Sequence, residues 1–202
     1  MKRLLSLLAL ALLLTGCSGM RLVESQVKAV ATQAAGQPIE AGARYRFERL
    51  PSQVNESRTE LVEAIAEAEL SEVGLVHDEA AARYSVQITT RMQSYLVDEW
   101  GRPLDSGRFH GAIMIGSGNM GGMYGLGMGM GMGFPPATQY RHEANLLLRE
   151  LASGQVVYET SATHEGPWND RDNILRALLA AALKDFPNPP AGTRRVKVEI
   201  PR

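Results

Sequence analysis

Cysteine occurs once in the 202 residues, at Cys17. A single cysteine excludes an internal disulfide, so the fold is held by its core alone. Long apolar runs are missing as well. The strongest, residues 4–14, is interrupted by Ser6 and falls well short of the roughly twenty apolar residues that cross a bilayer as a helix. Positive charge is in no surplus: 21 Lys and Arg stand against 22 Asp and Glu, a formal net charge of −1. That balance, with no basic cluster, argues against nucleic acid as a partner and against recruitment by anionic lipid.

Catalytic spacings are absent too. No serine stands in a Gly-x-Ser-x-Gly elbow. Gly116-Ser117-Gly118 is not followed by the helix pattern of a phosphate loop. His164-Glu165 reads as a loop and lacks the second histidine of a metalloprotease helix. Asp98-Glu99 falls in a hairpin loop. Asp170 and Asp172 fall in a helix's first turn, where carboxylates suit the dipole. His77 reads as a solvated turn residue. The expectation is a protein that is not an enzyme and carries no cofactor.

What is present begins at the amino terminus. Met1-Lys2-Arg3 is a short basic start, the apolar run follows, and Leu14-Thr15-Gly16-Cys17 closes it. This is the layout of a secretory signal. Its last four residues resemble the bacterial lipobox, which implies cleavage between Gly16 and Cys17 and attachment of diacylglycerol and a further palmitate-type chain to Cys17. Each acyl methylene buried in a bilayer contributes about 0.8 kcal/mol, so such an anchor is effectively permanent. In Gram-negative lipoproteins an aspartate after the cysteine favours the inner membrane. Ser18 therefore implies, by the same resemblance, the outer membrane. Residues 1–16 are expected to be a lipoprotein-type signal peptide, and residues 17–202 one periplasm-facing domain. That length suits one domain with a proper core and is too short for two comfortable ones.

Val23, Ser25, Val27 and Ala29 alternate with Glu24, Gln26 and Lys28, which predicts a half-exposed strand. Residues 37–42 form a turn region. Residues 44–50 alternate again, with Tyr45 and Phe47 on one side, and Pro51 stops them. Ser57-Arg58-Thr59-Glu60 fits a capping box. A helical stripe follows through Leu61, Val62, Ile65, Ala66, Ala68, Leu70 and Val73, with Gly74 where a left-handed C-cap is wanted. Further strands are predicted around Tyr84, Val86 and Ile88, at 109–115, and at 140–151. Ser153-Gly154 is a tight turn that leads to a hairpin partner at 155–163. The second helix is capped by Asn169 or Asp170, buries Ile174, Leu175, Leu178, Leu179, Ala182 and Leu183, and ends at Phe186-Pro187. Residues 195–200 supply a last strand. The sum is an α+β two-layer sandwich, with two helices packed on a mostly antiparallel sheet of about six or seven strands.

These pieces occur in a recognisable order. A lipobox and an early strand precede the strand Tyr45-Arg46-Phe47 running to Leu50-Pro51, and the first helix closes with Glu72-Val73-Gly74-Leu75. The strand at Tyr84-Ser85-Val86, a Gly-rich insert, the hairpin from Leu147-Leu148 through Ser153-Gly154-Gln155 to Tyr158, and a helix ending Lys184-Asp185-Phe186-Pro187 complete the order. In this the chain is similar to the bacterial lipoproteins grouped as domain of unknown function 4136, over most of the mature chain. The resemblance implies an envelope location and an α+β fold. It implies no reaction and no catalytic residues.

One segment could carry chemistry. Residues 116–136 are a Gly/Met-rich insert holding Met120, Met123, Met128, Met130 and Met132. A run so rich in glycine has few groups to bury, which reads as a flexible loop or an exposed hairpin tip. Polarizable thioethers on a yielding backbone also suit an adhesive contact with an envelope protein partner or with nearby lipid headgroups. A third reading is soft-metal binding, because Met-x-Met spacing suits Cu(I). His110 and His142 flank the insert and fall opposite each other if the bounding strands pair around Leu126. His142, however, shares its strand face with Ala144, Leu146 and Leu148, the setting of a core histidine. The functional expectation is a lipid-anchored, non-catalytic binding or structural component of the outer membrane. A Cu(I)-binding or buffering lipoprotein is the alternative.

Overall fold

Alternation decides strand β1 (Met20–Ala31), in which Val23, Ser25, Val27 and Ala29 are buried and the residues between them exposed. The computed structural model describes residues 19–32, 39–51, 53–54, 57–104 and 136–201. Six further strands follow among the described residues: β2 (Arg44–Phe47), β3 (Val76–His77), β4 (Tyr84–Val97), β5 (Ala137–Glu150), β6 (Val156–Gly166) and β7 (Thr193–Pro201). They form one sheet in the order β3-β2-β4-β5-β6-β1-β7. β2 runs parallel to β3 and β4, and the remaining pairs are antiparallel.

Two helices, α1 (Thr59–Glu72) and α2 (Arg171–Leu183), cover one face of this mixed, mostly antiparallel sheet. The fold is the expected α+β sandwich. Its core joins Val27, Tyr45, Val86, Leu146, Leu148 and Tyr158 of the sheet to Ile65 and Leu70 of α1 and to Leu178, Leu179 and Leu183 of α2. Each of those leucines contributes about 1.5–3 kcal/mol by leaving water. The Tyr158 hydroxyl and the Thr160 hydroxyl both donate to the Ala182 carbonyl oxygen, at 3.0 and 3.1 Å, which ties the end of α2 to β6. The other sheet face carries Glu24, Gln26, Lys28, Glu159, Glu165 and Lys197, all exposed.

Several local expectations change. The capping box does not form. Arg58 holds the N-cap position of α1 without a side-chain cap, so the third helical residue is Leu61, which has no acceptor to reach back. Thr59 instead donates its hydroxyl to the Gln53 carbonyl oxygen at 2.9 Å. β2 ends at Phe47 rather than Leu50. His77 is not in a free turn: it belongs to β3, half-buried, and stacks on Tyr45 with ring centroids 5.4 Å apart. His164 and Glu165 are not in a loop either. They continue β6, because β5 extends far enough to pair with it up to Tyr140↔Gly166. The strand expected at 109–115 and residues 116–135 of the Gly/Met-rich insert lie outside the described residues, as do the signal peptide and Cys17.

Candidate functional site

Register places one end of the sheet on view. Met20 pairs with Pro201, Tyr140 with Gly166, and Val97 with Ala137. The start of β1, the ends of β4, β6 and β7, the start of β5 and the amino end of α2 therefore share that end of the molecule. It is also the end at which the chain arrives from Cys17.

A row of one thioether and two imidazoles crosses the helix-facing side here. Met92, His142 and His164 are neighbours in register on β4, β5 and β6. His142 is buried, with Nε2 3.3 Å from the Trp168 carbonyl oxygen, so that nitrogen donates. Burial pushes the His142 imidazole below its ordinary value, and the neighbouring His164 adds to the effect. His164 donates Nδ1–H to the Glu24 carbonyl oxygen at 2.8 Å. Its Nε2, the Ser25 hydroxyl and the Arg21 Nε are buried and have no hydrogen-bond partner among the described residues.

The His164 ring sits where two strands part. β1 stays paired with β7 from Met20 to Lys28 but pairs with β6 only from Gln26 onward. The gap opens on the polar face as a groove of about 400 Å³ beside Leu22, Glu24, Arg141, Glu165, Trp168 and Arg195. Its charges are matched: Arg141 lies 3.4 Å from Glu165, and Arg195 3.5 Å from Glu24. Gly166 lets the ring in, because a Cβ there would lie 2.9 Å from His164 Nε2.

The loop from β6 to α2 closes over this row. Asp170 caps α2, accepting from the Asn173 backbone N–H, and pairs with Arg21. The Asn173 side-chain hydrogen bond and then the Arg21 guanidinium hold the Asp170 carboxyl below the usual range. Arg21 also lies over the Trp168 ring, 5.1 Å from its centroid. Around this loop several apolar side chains meet solvent: Met20 at 53 %, Leu22 at 48 % and Trp168 at 39 % exposure. On the turn after β4, Trp100 is 71 % exposed, with Arg102 over its ring.

The sequence singled out other acids, and the structure accounts for them locally. Asp98 organises its own turn, accepting from the Trp100 and Arg102 backbone N–H groups. Asp172 pairs with Arg58 at 2.6 Å. His142 takes the core place expected of it. The pairing of His142 with His164 depends on strand register, although the alternation Tyr158, Thr160, Ala162 extends directly to His164. No group of three or more His, Cys, Asp or Glu able to hold a metal occurs among the described residues. Met120, Met123, Met128, Met130, Met132 and His110 lie outside them.

A family model described as "Domain of unknown function (DUF4136)" matches residues 30–188. The chain belongs to this family. The match covers β2 through α2 and most of the row described above, while the segment from Cys17 through most of β1 precedes it. Among curated proteins none matches this DUF4136 chain. A solved structure described as a PDZ domain protein from Parabacteroides distasonis ATCC 8503 shares the fold, with a TM-score of 0.52 at 14% identity. That likeness covers 95% of this chain and 41% of the other, so this chain spans less than half of that protein's length. Two structures of the PelC dodecamer from Paraburkholderia phytofirmans match with TM-scores of 0.45 and 0.44 at 13% and 14% identity, each covering 79% of this chain and 94% of theirs.

Proposed function

We propose that this DUF4136 protein is an outer-membrane lipoprotein, anchored through lipidated Cys17, whose periplasm-facing domain has a non-catalytic binding or structural role. The observation that carries the reading is the closeness of the lipobox to folded structure. Met20, the first residue of β1, follows Cys17 by three positions. Three extended residues span only about 10 Å, and β1 lies inside the sheet between β6 and β7. The domain is thus tethered at a fixed end and at short range, which raises its effective concentration towards envelope partners. A non-catalytic role is supported by how the acids are used: Asp98 and Asp170 are committed to a turn and a helix cap.

The test is metabolic labelling with a palmitate analogue together with membrane fractionation, for the natural chain and for Cys17→Ala. Label and outer-membrane recovery are expected in the first and absent in the second. Quantitative recovery of Cys17→Ala with outer membranes would sink the proposal. In-cell crosslinking of the lipidated protein then identifies its envelope partner.

A further inference from the structure

We infer that the end of the sheet bearing Trp100 and Trp168 is seated in the headgroup layer of the membrane that holds the anchor. The inference rests on the lipidation of Cys17 proposed above and adds which surface meets the lipid. Both tryptophans of the chain stand at this end, one on the turn after β4 and one on the loop before α2. They are joined by Met20, Leu22 and Leu104, which are 53 %, 48 % and 40 % exposed. A solvated surface gains nothing from this set. An indole pays little to leave water at a headgroup layer, because its ring is apolar and its N–H stays wet, and tryptophan is accordingly enriched there.

The tether makes lipid the occupant. With a reach of at most about 10 Å from Cys17 to Met20, this end cannot leave the neighbourhood of the bilayer, while the opposite end is a full strand length away. Charge fixes the kind of lipid. Arg102 is paired with Asp98 at 2.7 Å, Arg141 with Glu165 at 3.4 Å and Arg195 with Glu24 at 3.5 Å. Most cations at this end are thus matched by carboxylates, with Arg171 turned to the Met92 sulfur and Lys197 sharing Glu24 with Arg195, which leaves little field to draw anionic headgroups, so the surface suits zwitterionic phospholipid.

The protein purified from membranes after expression of the complete coding sequence, reconstituted in phosphatidylcholine vesicles containing brominated acyl chains, tests this. Trp100→Phe and Trp168→Phe leave one reporter each, and the natural chain reads both. Fluorescence of each indole is expected to fall by about half in brominated vesicles relative to unbrominated ones, as for residues of an interfacial aromatic belt. The loss should persist up to about 1 M salt, where the Debye length is only about 3 Å. Protein that floats with the vesicles while both indoles stay unquenched overturns the seating and leaves the anchor standing. Quenching that needs added phosphatidylglycerol in the vesicles and is abolished by salt overturns the zwitterionic assignment. Protein that does not float overturns both the seating and the lipoprotein reading.

Discussion

Gly166 and His164 show how one atom governs the sheet end. The His164 ring fills the gap where β1 leaves β6, and it does so over a residue with no side chain. Gly166→Ala puts a methyl 2.9 Å from Nε2 of a buried ring, which has no free end to swing away. The expected loss of stability is about 1–3 kcal/mol, read by denaturant unfolding, and an unchanged midpoint would contradict this packing. His142 gives a second test. Its imidazole is held below the ordinary value by burial, so the folded state resists the proton that the unfolded chain accepts. Above about pH 8 both states are neutral and stability does not vary with this group. As pH falls through about 6.5 the unfolded chain protonates first, and stability declines until pH passes below the depressed native value. Unfolding free energies between about pH 8 and 5 should fall less steeply for His142→Gln than for the natural chain. Equal slopes would show that His142 contributes nothing to acid sensitivity.

Among the elements, α2 depends most on a single residue. Asp170 caps its first turn and partners Arg21, whose side chain is only 10% exposed. Asp170→Ala removes both roles and leaves a nearly buried guanidinium unmatched, with an expected cost of about 2–3 kcal/mol. Asp170→Asn retains the cap and should cost about half as much, so equal losses would mean that the charge has no part. This helix was also the most legible element. Its spacing predicted the buried face Ile174, Leu175, Leu178, Leu179, Ala182 and Leu183, and all six are buried. Gly74 was legible for a like reason, its φ of +85° being one a side chain resists. The start of α1 was not. Ser57 and Glu60 have the residue types of a capping box, but box geometry depends on the backbone at the cap, which the chain before Thr59 sets.

At the scale of the molecule, the proposed anchor at Cys17 and the sheet together would give the domain a top and a bottom. β5 has 14 residues, about 45 Å at the usual rise, and the Ser153–Gly154 turn lies beyond its far end. In the lipidated protein on vesicles, a spin label at Glu99→Cys should respond to a relaxation agent confined to the bilayer surface. A label at Ser153→Cys should not respond. Equal responses would show that the domain lies along the membrane rather than standing on it.

What the sequence determined alone was whatever one stretch of chain can encode. The two helices, the alternation of β1 and the α+β class are all read from local patterns of period and punctuation. Tertiary structure decided what depends on a partner strand. The length of β6, and with it the burial of His164, follows from how far β5 reaches. The parting of β1 from β6 follows from its longer pairing with β7. The shared position of Trp100 and Trp168, far apart in sequence, follows from the antiparallel pairing of β4 with β5, β5 with β6 and β6 with β1, which brings their turns to the end where β1 begins.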